Sequence, residues 1–224
     1  MRAALLIIFM CLSANCFATD YSIKVWSYTD EVTAAQVQKA LDIAGAILNK
    51  DDSPGDKACP TNFTVKGAVF NGAGSTLPPL LTVAGDFVKY RSDRRFSLYI
   101  VRKIDFCGYA VTDHRQTFGG CTGQHGGPVL ISIGSLNGNN KGVVAGHEFG
   151  HGQGLPDEVN TKGRLMYYTA SSNSLRVSSD ECDAYLQGQI FPVFDGNETP
   201  DMMQLSQPIP LAQPPRSDHH PSEL

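Results

Sequence analysis

Between positions 147 and 158 the chain reads His-Glu-Phe-Gly-His-Gly-Gln-Gly-Leu-Pro-Asp-Glu, and no other stretch narrows its folding options as far. Residues four apart stand one above the other on a helix, so His147 and His151 share a face and can turn both imidazoles toward one point. That requires helix through His151 and a prompt stop after it. Gly154 can adopt the left-handed conformation that ends a helix, and Pro156 keeps the chain from resuming one. The segment then doubles back and brings an acid, Asp157 or its neighbour Glu158, toward the histidines.

Two imidazoles and one carboxylate are the donor types of a zinc site that does chemistry, in which three protein ligands leave a fourth position open. We therefore expect His147, His151 and Asp157 to bind one zinc ion, with Glu158 as the alternative third donor on the residues alone. Glu148 sits at the edge of the same helical face, where it can reach a water at the metal without binding the metal itself. That is the position of a general base.

The pattern H-E-x-x-H-x-x-G-x-x-D, with Gly154-Leu155-Pro156-Asp157 inside it, resembles the metzincin family of zinc proteases and is most similar to its snapalysin branch. The resemblance implies a Met-containing turn beneath the metal. Leu165-Met166-Tyr167-Tyr168 stands nine residues beyond Asp157, where such a turn is expected, with Met166 in a structural role. Tyr168 would either swing toward a tetrahedral intermediate or pack. The implied fold class is α+β: a twisted five-stranded mixed sheet, an N-terminal helix and an active-site helix, then a small C-terminal subdomain with the Met turn and a final helix. The implied activity is peptide hydrolysis in which Glu148 takes a proton from zinc-bound water, on a protein or peptide substrate. A zinc amidase acting on cell-wall or other non-protein amides shares this chemistry. A non-catalytic secreted zinc-containing binding protein is the rival outside enzymology, and an intact Glu148 argues against it.

The rest of the chain supplies address and scaffold. Met1-Arg2, an apolar stretch from Ala3 to Leu12 and small residues ending at Ala18 have the layout of a cleavable signal peptide over 1–18, with Thr19 as the mature start. The apolar run is too short to span a bilayer comfortably. We expect a secreted protein, extracellular or periplasmic, that acts as a monomer and makes no stable membrane association. The first expected strand starts where the signal peptide ends, which leaves no room for an inhibitory propeptide. Without residues 1–18 the chain holds 17 Lys+Arg against 22 Asp+Glu, a balance that argues against nucleic acid as a partner.

Four cysteines remain in that mature chain, and in an oxidising compartment an even count reads as two disulfides. Three connectivities exist. The favoured one joins Cys107 to Cys121, closing a short loop before the histidine helix, and Cys59 to Cys182, tying the early sheet to the last helix.

Along 19–194, the expected catalytic domain, Tyr21 to Ser27 alternates as a strand. Thr33 and Gln36 form a capping box, opening a helix whose Val37, Leu41, Ala44 and Leu48 lie on one stripe. Further strands are expected at Asn62 to Phe70, Phe96 to Lys103, Cys107 to Thr112 and Val129 to Ile133, and Ser178 with Glu181 opens the last helix. By the resemblance, Cys107 to Thr112 would be an exposed antiparallel edge that holds extended substrate by strand addition. Residues 195–224, with six prolines among Gln, Ser and His, form an expected disordered tail. His114, His125, His219 and His220 are read as surface or hydrogen-bonded side chains. Asp51, Asp52 and Asp56 are acidic enough for Ca2+, but solvated charge is the reading preferred for them. Asn62 and Asn197 head glycosylation sequons.

Overall fold

The computed structural model describes residues 18–51, 55–72, 76–93, 95–107, 118–122, 128–138, 140–169 and 171–187. The expected signal peptide up to residue 17, the tail, His114, His125, His219, His220, Asp52 and the sequon at Asn197 lie outside them. So does all but the first residue of the strand expected over 107–112.

The fold opens with β1 (Thr19–Ser27) and α1 (Ala34–Leu48). Thr33 caps α1 reciprocally: its Oγ1 accepts from the Gln36 amide at 3.3 Å, and Gln36 Oε1 accepts from the Thr33 amide at 2.8 Å. The stripe Val37, Leu41, Ala44 and Leu48 is buried, so helix periodicity and packing agree. There follow β2 (Thr61–Val69), β3 (Leu80–Leu81), α2 (Ala84–Ser92), β4 (Leu98–Val101), β5 (Lys103–Ile104), β6 (Gly120–Thr122) and β7 (Val129–Ser132). The chain continues through α3 (Ile133–Asn137), α4 (Lys141–Gly152) and α5 (Ser179–Gln187).

Among the described residues, five strands form one mixed sheet in the order β2-β1-β4-β7-β6, in which β6 alone runs antiparallel to its neighbour. Strands of a parallel sheet are covered on both faces and read as continuous apolar runs. β4, Leu-Tyr-Ile-Val, and β7, Val-Leu-Ile-Ser, are buried throughout for that reason. One face of the sheet packs on α1 and α4 through Ile23, Val25, Leu41, Ile100, Ile131 and Phe149. The other carries an aromatic cluster, Trp26, Tyr90 and Tyr99, to which α2 contributes Tyr90 and Phe87.

Helix α4 approaches its neighbours unusually closely because glycine recurs every four residues along it. A Cβ on Gly142 would stand 2.1 Å from Ile43 Cγ2, and one on Gly150 would stand 2.3 Å from Met166 Sδ. Each glycine in a helix interior costs about 1 kcal/mol against alanine. Here the cost is offset by seating α1 on one part of this face and the Met166 segment on another.

Several expectations are corrected. Helix α2 is not among the expected elements; its start carries no Ser, Thr, Asp or Asn in the N-cap position, which Val83 occupies. Asp86 substitutes by accepting from the Thr82 and Val83 amides at 3.0 and 3.3 Å. The strand expected over 96–103 is broken, β4 ending at Val101 and β5 leaving to pair with β3. Among the described residues the antiparallel edge of the sheet is β6, a strand too short and too glycine-flanked to show a pattern in the sequence.

Cys107 and Cys121 are bonded, with Cα atoms 5.5 Å apart. The expected Cys59–Cys182 bond is absent: both are buried thiols, Cys59 Sγ donating to the Cys182 carbonyl at 3.3 Å. Burial pushes the Cys59 thiol far above its ordinary pKa, so it stays protonated and slow to exchange. The contact between the early sheet and the last helix is nonetheless made. Ser178 and Glu181 cap α5 reciprocally, at 2.6 and 3.2 Å, and Cys182 and Tyr185 face the body. Among the described residues no helix is long and apolar enough to cross a membrane.

Candidate metal centre

Helix α4 enters the core as Val143-Val144-Ala145, and this buried half anchors the polar half that follows. His147 and His151 leave one face of it, their ring centroids 4.6 Å apart. The helix then ends at Gln153 in a Schellman turn: the Gly154 amide bonds the His151 carbonyl at 2.9 Å, and the Leu155 amide bonds the Gly150 carbonyl at 3.0 Å. Gly154 has φ of 90°, the left-handed value that a side chain resists. The reversal carries Asp157 back over the helix end.

Asp157 Oδ1 stands 3.3 Å from His147 Nε2 and 3.5 Å from His151 Nε2, and one donor atom from each of the three lies within 4.8 Å of the others. Glu158 does not join them. Its carboxylate accepts from the Asn160 amide at 2.7 Å, and its own amide donates to the Met166 carbonyl.

The other nitrogen of each ring decides what the cluster can hold. His147 Nδ1 lies 2.8 Å from the Leu165 carbonyl, and His151 Nδ1 lies 2.8 Å from the Leu155 carbonyl. A carbonyl only accepts, so each Nδ1 carries a proton, and in its neutral form each ring turns an Nε2 lone pair inward. Two lone pairs and a carboxylate oxygen therefore face one another, an arrangement that calls for positive charge at its centre. The spacing is also informative. Donors about 2.0–2.1 Å from a tetrahedral zinc stand roughly 3.3 Å apart, whereas a charge-assisted N–H···O bond is about 2.7–2.9 Å long. The observed 3.3 and 3.5 Å match the first distance, and histidines tethered through Nδ1 are the usual outer support of such ligands. This donor set fits zinc.

Protons feel the same demand. Burial lowers the proton affinity of His151, but Asp157 and Glu148 outweigh it and raise the pKa to about 8. The close approach of His147 and His151, which favours the charged form, holds the Asp157 carboxyl well below the usual carboxylate range. Glu148 is 6% exposed, and burial pushes its carboxyl up against the pull of the two histidines and Thr122.

Met166 is buried beneath the helix, its Sδ 3.7 Å from Tyr185 Oη, and Tyr185 in turn donates to the Gly146 carbonyl. The residue before it supplies the carbonyl that grips His147. Tyr168 is 58% exposed with its ring beside Tyr167, so it is not packed. Asp56 is paired with Arg176 and Arg164, at 3.1 and 3.6 Å, which ties it to the segment holding Met166.

Sequence reasoning missed Thr122 and Gly120, which contact Glu148 from β6, and the two carbonyls that fix the imidazoles. The glycine repeat at 142, 146 and 150 was a visible signal of close packing on α4. Nothing marked the carbonyls, which every residue possesses.

No protein-family model matches the chain, and no curated protein matches it. Among solved structures it is similar to archaemetzincin from Methanopyrus kandleri, at 14% identity and a TM-score of 0.47 over 75% of this chain and 94% of that one.

Proposed function

We propose that this chain is a zinc-dependent endopeptidase, with His147, His151 and Asp157 holding the ion and Glu148 as the base. The observation that carries the reading is the convergence of three acceptor atoms, with Asp157 Oδ1 3.3 and 3.5 Å from the two imidazole nitrogens, beside a buried carboxylate that is not one of them. A metal held purely for structure has no use for that fourth group. The metzincin resemblance of the sequence motif points the same way, with the Met166 segment in the place of the Met turn.

A zinc ion bound here supplies a Lewis acid that polarises a carbonyl and makes water acidic near neutral pH. The protein supplies the remainder. His147 and His151 present fixed lone pairs because Leu165 and Leu155 hold their Nδ1 protons. Asp157 adds one negative charge, so the water is less acidic than at an all-histidine site, and a neutral to mildly alkaline optimum follows. Glu148, raised in proton affinity by burial, accepts the proton of the attacking water and returns it to the leaving amine. Half-exposed Asp157 leaves the centre open to substrate from the loop side.

Casein hydrolysis by the full chain should vanish on chelation and return with zinc. Glu148→Ala should keep one zinc per chain and lose about 10²–10⁴-fold in kcat. Retention of most activity by that variant would remove Glu148 from the mechanism. We further propose that the protein is exported and begins at Thr19. N-terminal sequencing of exported protein tests this, and an uncleaved Met1 would count against it.

A further inference from the structure

A glutamate side chain has several rotamers of similar energy, and a base works only from one of them. Strand β6 selects among those of Glu148 from two positions. Thr122 Oγ1 donates to Glu148 Oε2 at 2.8 Å. Gly120 lies flat against the same side chain: a Cβ there would stand 2.3 Å from Glu148 Cγ and 2.5 Å from Oε1. Residues two apart on a strand face the same side, so one face of β6 is shaped around this carboxylate, with space at 120 and a donor at 122.

Cys121, between them, belongs to the opposite core cluster and is bonded to Cys107, while β6 pairs with β7 from Gly120 to Thr122. The donor is thus placed by covalent and ladder contacts that do not depend on Glu148. Gly120 is not at positive φ, so its backbone would accept alanine, and the Glu148 side chain is what a Cβ there meets first.

We propose that Thr122 is a positioning residue for Glu148, its hydroxyl holding the carboxylate where it meets the reacting water while Gly120 keeps that place clear. The proposal rests on the hydrolytic reading above. Thr122→Val preserves shape and β-branching but removes the donor; Thr122→Ser preserves the donor. In the zinc-loaded full chain, Thr122→Val should lower kcat about ten- to a hundredfold with KM and zinc content unchanged, and Thr122→Ser should restore most of that loss. Gly120→Ala, which pushes the same flexible carboxylate aside, should reduce kcat as well. Crystal structures should show the carboxylate displaced in Thr122→Val and Gly120→Ala and in place in Thr122→Ser.

Wild-type kcat with an unmoved carboxylate in Thr122→Val overturns the proposal. So does a Thr122→Ser variant as impaired as Thr122→Val, or a loss confined to KM. If the wild-type protein with zinc cleaves no peptide, the hydrolytic reading fails by itself, and the carboxylate positions still decide whether Thr122 holds Glu148.

Discussion

The two histidines and the aspartate of the centre are held in contrasting ways. His147 and His151 grow from a buried helix, with side chains 7% and 15% exposed and each ring tied to a carbonyl. Asp157 sits on a loop, half exposed, and owes its position to the Gly154 reversal and to the bond from the Glu158 amide to the Met166 carbonyl. A rigid pair sets the geometry, and a movable charge completes it. The site should therefore respond very differently to damage on its two sides.

The largest effect is expected from His151→Ala, which removes a ligand from the rigid side. Isothermal titration should find no specific zinc binding, whereas Asp157→Ala should bind zinc more weakly, by more than the roughly 10–100-fold that losing an outer support costs. Unchanged zinc affinity in Asp157→Ala would break the contrast by removing Asp157 from the ligand set.

A smaller effect is expected from Gly154→Ala. Forcing a side chain into the left-handed region costs about 1–2 kcal/mol, or roughly 2–8 °C in Tm for a chain of this size. Zinc affinity should fall with it because Asp157 moves while the histidines stay. A variant with unaltered Tm and affinity would show that the reversal does not depend on glycine.

The mildest test uses pH on the chelated protein. His151 has a folded pKa of about 8, above its ordinary 6.5, so its contribution to stability is complete below about 6.5 and is lost as pH rises through 8. Raised Glu148 acts in the same direction, since its ionised form is disfavoured by burial. Depressed Asp157 contributes above its ordinary 3.8 and loses that contribution as pH falls toward its folded value. Metal-free protein should thus be most stable near pH 4 and lose stability toward pH 8, first through Glu148 and then through His151, and zinc should add most above 8, where His151 has no proton to surrender. Thermal melts of the chelated protein whose Tm rises from pH 6.5 to 8.5 would contradict this.

The same division runs through what was readable in advance. Helix α4, its stop at Gly154, the Thr33 and Ser178 capping boxes and the alternation of β1 are local patterns, and each appears in the structure. Helix α2 was missed because Asp86 caps it from inside rather than from the N-cap position. Strand β6 was missed because three residues, Gly120-Cys121-Thr122, are too few to show a period. Cys59 and Cys182 were rightly brought together but not bonded, since oxidation is a chemical event that spacing does not dictate.

From its own letters the chain determined that two imidazoles share a helix face and that the helix must stop and return an acid, because spacing along a helix and the φ of glycine are properties of neighbouring residues. Tertiary structure alone decided which acid arrives, which carbonyls hold the imidazoles and which hydroxyl meets Glu148. Those contacts join residues 4 to 26 positions apart in sequence, several through backbone atoms common to every residue, so only packing could choose them.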